Sequence, residues 1–304
     1  MPVICPERID CHIQNYFDQD AGPGHRDYRC GLLSYPDHLG TDIRVPDLVA
    51  MDRGVPVVAA MAGVVRATRD GMADSGTGEA DSDDTAGRAL GNAVVVGHDG
   101  GLTTIYGHLR NGSVVVAEGD RVAAGDILGQ MGLSGRTAFP HLHFEVRLGK
   151  RPIDPFMGPA PNPDCGALGE PLWSAQALAA MPYVPTGLLG AGFAAAVPTS
   201  EAAQAGAYGE TPPSRDAPAL TFWVALFGAQ AGDRVETRLL GPGGLVIAAQ
   251  SDRLAKPFAR WFHYVGKKRR SDSWPPGRYQ GEFVLRRDPD GAVVIRIERE
   301  VELR

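Results

Sequence analysis

Two histidines stand one residue apart in the segment "FPHLHFEV", which runs from Phe139 to Val146. Side chains alternate between the two faces of a β-strand, so His141 and His143 are predicted to share one face and Leu142 to lie on the other. Two imidazoles side by side on one face are the beginning of a metal site. The alternative is a pair of half-exposed strand histidines that bind nothing.

Further metal-ligating residues lie upstream of this pair. The segment "HLGTD" places His38 and Asp42 four positions apart, and "YGHL" supplies His108. A hydrolytic zinc site takes three protein ligands with nitrogen, sulfur or oxygen donors and leaves one position for water. His38, Asp42 and one of His141 and His143 satisfy that number. The two remaining histidines are then available to act on the water and the substrate.

The elements that carry these residues are predicted to be short strands. From His38 to about Phe156, β-rich runs alternate with glycine turns at a spacing of roughly ten residues, which is typical of an antiparallel sheet or sandwich. The acidic segment from Arg69 to Gly91 interrupts this pattern and is predicted to be a long surface loop. One short helix is predicted over Gly169 to Met181. The runs that show the strand pattern are "VPVVAAMAGVVRAT", "NAVVVGHDGGLTTIYGHL", "GSVVVAEGDRV" and "HLHFEVRL".

In this order and setting, the chain resembles the lysostaphin-like (LytM-type) zinc metalloendopeptidases, a peptidoglycan-hydrolase family. The family pattern is H-x-x-x-D, then Tyr-x-His, then H-x-H, and the similarity covers about residues 31–156. The resemblance implies one Zn²⁺ ion held by His38, Asp42 and His143, with His108 and His141 as the catalytic pair. It also implies an endopeptidase that cuts peptide cross-links of bacterial peptidoglycan by metal-activated water with histidine acid/base assistance.

Some points stay open within this resemblance. The family has a Ser-Thr-Gly-Pro run before H-x-H, whereas this chain has "RTAFPHLH", which puts the neighbouring substrate subsite in question. Some relatives have lost zinc ligands and activate amidases, so the alternative function is a latent or non-catalytic cell-wall regulator. The bond cleaved, D-Ala–diaminopimelate or a glycine bridge, is not fixed by the sequence, and neither is the histidine that acts as the base.

The whole chain is predicted to be mainly β. We expect an N-terminal arm (1–30), a LytM-type zinc peptidase domain (31–168), a helix and linker (169–216) and a C-terminal immunoglobulin-like β-sandwich (217–304). The C-terminal part from Asp216 carries 15 Lys and Arg against 11 Asp and Glu, although the chain as a whole has a net charge of −6. The overall charge argues against a general nucleic-acid binder, and no apolar run is long enough for a membrane span.

The four cysteines are even in number and widely spread, which favours two disulfides in an exported protein over buried thiols in a cytosolic one. Three pairings are possible, and we expect Cys11–Cys30 and Cys5–Cys165. No signal peptide is present in this sequence, so a periplasmic or secreted protein is expected with its export signal removed.

Several other residues have weaker signals. His98 is predicted to be a structural turn histidine. Asn15, Asp18 and Asp20 are candidates to reach over the site from the arm and block it, and Arg44 and Tyr106 are candidates to line the groove. In the C-terminal domain, the basic run "GKKRR" and nearby aromatic residues are candidates for contact with wall polymer, against the alternative of a solvated loop beside an ordinary core. Those aromatic residues are Trp261, Phe262, Tyr264 and Trp274.

Overall fold

A computed structural model describes residues 1–7, 9–76, 88–160, 165–166, 169–209 and 211–304. The chain divides into two compact units, Met1–Val184 and Pro185–Arg304. Both consist of antiparallel strands with a few short helices, so the prediction of a mainly β protein is confirmed. None of the helices in the described part of the chain has the length and apolar character needed to cross a membrane.

The first unit is organised around one large antiparallel sheet. Its strand order is β1-β2-β9-β6-β5-β4-β7, with β10 paired to the end of β9 and a separate two-stranded sheet formed by β3 and β8. Its helices are α1 (Leu48–Asp52), a 3₁₀ turn (Asp99–Gly101) and α2 (Ala175–Ala180). The strands are β1 (His12–Asn15), β2 (Thr41–Arg44), β3 (Pro56–Val58), β4 (Gly63–Arg69), β5 (Asn92–Gly97), β6 (Leu102–Leu109), β7 (Arg121–Val122), β8 (Ile127–Gln130), β9 (His141–Leu148) and β10 (Arg151–Ile153).

Strand β9 shows how the sequence pattern produces this sheet. Leu142, Phe144 and Val146 are buried on one face, and the ring of Phe144 packs against Tyr106 of β6 at 5.4 Å between centroids. His141 and His143 occupy the other face, as the period of two predicts. Burial of each of these apolar side chains stabilises the fold by about 1.5–3 kcal/mol. The register that places the histidines is therefore fixed by the core on the opposite face of the strand.

The N-terminal arm is part of this sheet. Strand β1 pairs antiparallel with β2, with His12 opposite Arg44 and Asn15 opposite Asp42. Two disulfides flank it, Cys5–Cys11 and Cys30–Cys165. The expected pairing of Cys11 with Cys30 and Cys5 with Cys165 is therefore wrong. The chain between Cys11 and Cys30 contains β1, and an extended strand carries its two ends apart rather than together.

Other expectations for the first unit are partly met. The helix predicted over Gly169 to Met181 begins only at Ala175, where the Ser174 side chain accepts a hydrogen bond from the backbone N–H of Ala177 at 3.2 Å. The acidic segment does connect β4 to β5. Its first part is held by Asp70, which accepts from the backbone N–H groups of Gly112 and Val114, while residues 77–87 lie outside the described residues.

The second unit is a sandwich of two antiparallel sheets, with strand orders β11-β12-β15 and β14-β13-β16-β17. Its core is apolar and is formed by the inner faces of both sheets. The elements are β11 (Gly187–Ala194), α3 (Ser200–Gln204), β12 (Ala219–Ala229), β13 (Arg234–Leu240), a 3₁₀ turn (Pro242–Gly244), β14 (Val246–Arg253), β15 (Phe258–Lys268), β16 (Gly277–Arg287) and β17 (Ala292–Leu303).

A tyrosine corner supports the immunoglobulin-like description. Tyr279 lies at the start of β16, is 1% exposed, and donates its hydroxyl hydrogen to the carbonyl oxygen of Pro275 at 2.8 Å. A tyrosine bonded back to the chain a few residues upstream is a hallmark of this type of sandwich. The sandwich begins earlier than predicted, since β11 lies in the segment that the sequence assigns to the linker and pairs with β12.

Candidate metal centre

The five residues singled out by their spacing lie together on one face of the large sheet. Asp42 on β2 is directly opposite His143 on β9, and His143 is also opposite Gly107 on β6. The site therefore spans adjacent strands, and its side chains are between 1% and 7% exposed. The residues brought together are His38, Asp42, His108, His141 and His143.

Three donor atoms form a compact triangle. The Nε2 atom of His38 is 3.1 Å from Oδ1 of Asp42, Nδ1 of His143 is 2.9 Å from the same oxygen, and the two nitrogens are 3.3 Å apart. Ligand atoms bound at tetrahedral positions about a zinc ion lie roughly 3.3 Å from one another. Among the described residues, this trio is the group of His, Cys, Asp and Glu side chains that meets the spacing of a metal site.

The hydrogen bonds of His38 support a cation at this position. Its Nδ1 lies 2.6 Å from the carbonyl oxygen of Tyr16. A carbonyl oxygen only accepts, so Nδ1 carries the hydrogen and Nε2 of the neutral ring presents a lone pair to the Asp42 carboxylate. At 3.1 Å this nitrogen and the carboxylate oxygen require either a second ring proton or a bound cation between them. The donor set of two imidazoles and one carboxylate suits zinc.

The electrostatics of the trio follow from burial and proximity. Burial lowers the pKa of His38, but the Asp42 carboxylate and the hydrogen bonds to Asp42 and Tyr16 outweigh it, and the net shift is upward. Burial likewise works to raise the pKa of Asp42, yet His38 and His141 hold it well below its ordinary value. Burial lowers the pKa of His143. The carboxylate is therefore ionised and the His143 ring is neutral, which are the protonation states that bind a metal ion.

Gly40 allows the two ligand segments to approach. A Cβ atom at this position would lie 2.7 Å from Cε1 and Nε2 of His143 and 2.8 Å from the backbone oxygen of Phe144. No side chain fits at those distances. The glycine between His38 and Asp42 in the sequence is thus required by the close packing of the β9 imidazole over this turn.

His108 and His141 lie beside the triangle with their rings 4.6 Å apart between centroids. The Nδ1 atom of His108 donates to the carbonyl oxygen of Ser134 at 2.7 Å, and Nδ1 of His141 donates to that of Phe139 at 2.9 Å. Nε2 is therefore the nitrogen of each ring that is left for other partners, and that of His141 lies 3.4 Å from Oδ1 of Asp42. Burial lowers the pKa of His108 well below its ordinary value, so its ring is neutral and accepts a proton.

The backbone at His108 is unusual. Tyr106 is paired with Phe144 and faces the core, so regular alternation would send His108 to that same face. Instead His108 has a φ of +58°, and its ring contacts those of His141 and His143 on the opposite face. A non-glycine residue in this region costs about 1 kcal/mol or more and tends to occur at functional sites.

Several weaker candidates do not line the site. Arg44 and Tyr106 are both buried, Arg44 against backbone carbonyls and Tyr106 in the core with its hydroxyl accepting from Ala60 N–H. Asp18 accepts hydrogen bonds from the backbone N–H groups of Asp20, Arg26 and Asp37, and Asp20 accepts one from that of Gly22. These four are therefore corrections to the sequence-based expectation. His98 bridges the Ala62 carbonyl and the Thr104 hydroxyl, as expected of a structural histidine.

Two contacts of the site were not anticipated in their present form. The Nδ2 amide of Asn15 donates to Oδ2 of Asp42 at 2.9 Å, so Asn15 supports a ligand candidate rather than occupying a water position. The ring of Tyr35 stacks on that of His38 with centroids 4.3 Å apart. The Asn15 contact could be predicted only by knowing that β1 pairs with β2. The sequence signal for the Tyr35 contact is a tyrosine three residues before His38.

The fold and the site together describe a β domain with a candidate metal centre, and a comparison with known families identifies the class of domain. Residues 37–155 match Peptidase family M23. The chain thus contains an M23 peptidase domain of the LytM type.

Relatives of known name match a part of the chain. The DD-carboxypeptidase/endopeptidase Mpg of Neisseria meningitidis serogroup B is 37% identical over 86 residues, which is 28% of this chain and 19% of that protein. The peptidoglycan DD-endopeptidase ShyA of Vibrio cholerae is 32% identical over 117 residues, 38% of this chain and 22% of that protein. The matches thus span about a fifth of each relative.

Solved structures align with about half of the chain. The catalytic domain of lysostaphin from Staphylococcus simulans aligns with a TM-score of 0.31 and 22% identity, covering 48% of this chain and 89% of that one. The catalytic domain of the prophage-encoded M23 protein EnpA from Enterococcus faecalis aligns with a TM-score of 0.33 and 22% identity, covering 49% and 90%.

Proposed function

We propose that this chain is a zinc-dependent endopeptidase that hydrolyses peptide cross-links of bacterial peptidoglycan. The observation that carries the proposal is the triangle of donor atoms on His38, Asp42 and His143, with edges of 2.9, 3.1 and 3.3 Å. Beside it lie two imidazoles that are each oriented by a backbone carbonyl. When bound there, zinc supplies Lewis acidity that lowers the pKa of water and polarises a peptide carbonyl.

The protein's own groups provide the proton transfers. His108 and His141 each donate Nδ1–H to a backbone carbonyl, so Nε2 is the ring atom available for proton transfer in both. One imidazole takes the proton of the attacking water, and the other stabilises the oxyanion or returns a proton to the leaving amine. Burial excludes bulk water and strengthens these interactions.

The substrate follows from the relatives. ShyA is named a peptidoglycan DD-endopeptidase and Mpg a DD-carboxypeptidase/endopeptidase. These names support a D,D bond, as in the D-Ala–diaminopimelate cross-link, over a glycine bridge. The two disulfides and a wall substrate are consistent with an exported protein that acts in the periplasm or outside the cell.

The direct test is digestion of purified diaminopimelate-type sacculi, with released fragments identified by mass spectrometry. Release of monomers from cross-linked dimers is expected, and chelation or His143→Ala should abolish it. Release that persists in both samples would rule out the zinc mechanism. Stoichiometric zinc with no cleavage of sacculi or short cross-linked peptides would instead favour the alternative, a latent or non-catalytic regulator of the amidase-activator type.

We also propose a wall-polymer contact for the second unit. Val265 of β15 is buried in the sandwich core, so the alternate residues of that strand face outward. They are Arg260, Phe262, Tyr264 and Lys268, and β15 contains no acidic residue. Tyr264 is 38% exposed, and Phe262 lines an open cleft of about 490 Å³. Aromatic rings flanked by cations fit a glycan that carries carboxylates.

The other two aromatic candidates are excluded from this surface. Trp261 packs its ring against Phe283 in the core at 5.8 Å between centroids. Trp274 is buried, and its indole N–H donates to the carbonyl oxygen of Ala217 at 2.9 Å. Lys267 and Lys268 of the basic run are the last residues of β15, and Arg269 donates to the Ser271 carbonyl.

Sedimentation with sacculi tests this surface in the full chain carrying His143→Ala, so that the polymer is not digested. Tyr264→Ala and Lys268→Glu should each weaken retention severalfold. Arg296→Glu provides a charge-matched control, because Arg296 is an exposed residue on β17 of the other sheet. An equal loss with Arg296→Glu, or no loss with either variant on β15, would contradict the contact.

A further inference from the structure

Three consecutive residues of the N-terminal segment each hold a different part of the candidate site. Gln14, Asn15 and Tyr16 are 4%, 8% and 1% exposed. Gln14 accepts a hydrogen bond from the guanidinium of Arg44, Asn15 donates to Asp42, and the Tyr16 carbonyl accepts from His38. We infer that this segment, residues 14–16, is a fixed support for the metal centre rather than a lid that blocks it.

Asn15 acts on the carboxylate ligand candidate. Its amide donates to Oδ2 of Asp42 at 2.9 Å, while Oδ1 of the same carboxylate faces the two ligand nitrogens. The amide therefore fixes the rotation of the carboxylate about its Cβ–Cγ bond and directs Oδ1 to the metal position. Hydrogen-bond partners of this kind typically change metal affinity by about 10–100-fold when they are removed.

Tyr16 acts on the imidazole of His38 through its backbone. The carbonyl oxygen lies 2.6 Å from Nδ1 and selects the tautomer in which Nε2 is free for a metal. The Ser34 hydroxyl donates to the same carbonyl at 2.8 Å. The Tyr16 ring packs against the stacked rings of Tyr28 and Phe156, at 5.3 and 5.2 Å between centroids. The position of the carbonyl is thus set by a buried hydroxyl and an aromatic cluster.

Gln14 acts on His141 through two intermediates. The Arg44 guanidinium also donates to the carbonyls of Val45 and Pro46 and lies 4.5 Å from the centre of the Phe139 ring. The Phe139 ring also lies 4.6 Å from the His141 ring between centroids, and the Phe139 carbonyl accepts from His141 Nδ1. Phe139 lies in the "RTAFPHLH" run, where this chain departs from the family pattern. The stack from Arg44 through Phe139 to His141 is therefore not implied by that pattern.

These contacts make separable predictions. Asn15 is a positioning residue for a metal ligand, so its loss should weaken zinc binding. Gln14 is a positioning residue for His141, which is outside the donor triangle, so its loss should leave zinc affinity unchanged and lower turnover. If Asn15 instead blocked the site, its removal would raise turnover, because the substrate would gain access to the metal position.

The experiment measures zinc affinity of the full chain by competition with a chromophoric chelator, in the absence of substrate. Asn15→Leu, and Asn15→Ala as a second variant, should weaken zinc binding about 10–100-fold. Gln19→Met is the matched control, because the Gln19 amide donates to Oδ2 of Asp154 at 2.6 Å from the same arm but contacts no ligand candidate. It should retain wild-type affinity. Thermal unfolding identifies variants that fail to fold.

The outcomes are decisive in both directions. Unchanged zinc affinity in both Asn15 variants, or an equal loss in Gln19→Met, would overturn the inference. Increased turnover of Asn15→Ala would establish the lid instead. For Gln14→Leu, NMR of ¹⁵N-histidine-labelled protein should show loss or displacement of the His141 Nδ1–H signal with zinc affinity retained. The inference rests on the proposed zinc site, but its zinc-affinity and NMR measurements need no peptidase activity, so failure to cleave peptidoglycan would leave it standing.

Discussion

The Nδ1 atom of His38 and the carbonyl oxygen of Tyr16 are 2.6 Å apart across 22 positions of sequence. This contact determines which nitrogen of His38 faces the metal position. It also joins the N-terminal segment, which shows no regular pattern in the sequence, to His38, the first residue of the H-x-x-x-D motif. The site is therefore formed by residues that precede this motif as well as by residues that follow it.

The two roles assigned to the histidines predict a separation of metal binding from turnover. His143→Ala removes one corner of the donor triangle and should lose both zinc and hydrolysis. His108→Ala leaves the triangle intact and should retain zinc while turnover falls about 10²–10⁴-fold, the usual contribution of a general acid or base. Metal analysis by mass spectrometry and hydrolysis of a short cross-linked peptide measure the two quantities.

A control for this separation is His98→Gln. His98 is in the same domain but bridges Ala62 and Thr104, away from the donor triangle. Its replacement should change the melting temperature and leave both zinc content and turnover per folded molecule unchanged. Loss of zinc in His108→Ala would contradict the division of roles.

The grouping of the candidate side chains was predictable because their types and spacing are unusual. Two histidines on one strand face, a histidine and an aspartate around a glycine, and a further Tyr-Gly-His are specific signals. The supports of these residues were not predictable. Gln14 and Asn15 are ordinary polar residues in a four-residue strand, and Tyr16 acts through a carbonyl that every residue possesses. Their roles depend on β1 pairing with β2 across an irregular connection.

Strand β11, which lies in the segment predicted to be a linker, was not predictable for a similar reason. Its sequence "GLLGAGFA" is rich in glycine and alanine, which have low strand propensity. The structure requires those small residues, because a Cβ at Gly187 would lie 2.3 Å from the ring of Phe227 and one at Gly190 would lie 3.0 Å from that of Trp223. Large side chains of β12 occupy the space above β11, a tertiary requirement that local pattern does not reveal.

The two disulfides should contribute unequally to stability. Cys30–Cys165 closes a sequence separation of 135 residues and Cys5–Cys11 one of 6. The loop-entropy relation gives about 5 kcal/mol for the long loop and about 2 kcal/mol for the short one. The double variant Cys30→Ala, Cys165→Ala should therefore unfold at lower denaturant than Cys5→Ala, Cys11→Ala. Equal midpoints, or the reverse order, would argue against the entropic difference.

The tyrosine corner of the sandwich gives a local stability prediction. Tyr279→Phe removes the hydroxyl that donates to the Pro275 carbonyl at 2.8 Å and should cost about 1 kcal/mol of unfolding free energy. Tyr264→Phe is the matched control, since Tyr264 is 38% exposed on the same unit and a surface change of this kind costs less than about 0.5 kcal/mol. Urea unfolding monitored by tryptophan fluorescence measures both, and equal losses would remove the special role of the corner.

A buried carboxyl group near the N-terminal segment should make stability depend on pH. Burial raises the pKa of Asp154 from 3.8 to about 6, although hydrogen bonds from the Phe156 N–H and the Gln19 amide work in the opposite direction. The folded state thus binds this proton more tightly than the unfolded state does. The stabilisation is fully present below the unfolded pKa near 3.8 and is lost as the pH rises through about 6.

The difference of about two pKa units corresponds to a loss of about 3 kcal/mol in the free energy of unfolding, as an order of magnitude. Asp154→Asn keeps an oxygen for the Phe156 N–H and carries no charge, so this variant should be more stable than the wild type above pH 6 and should lack the decline between pH 4 and 6. Unfolding free energies measured by urea titration across that range give the comparison. Parallel pH profiles for the two proteins would show that Asp154 is not the group responsible.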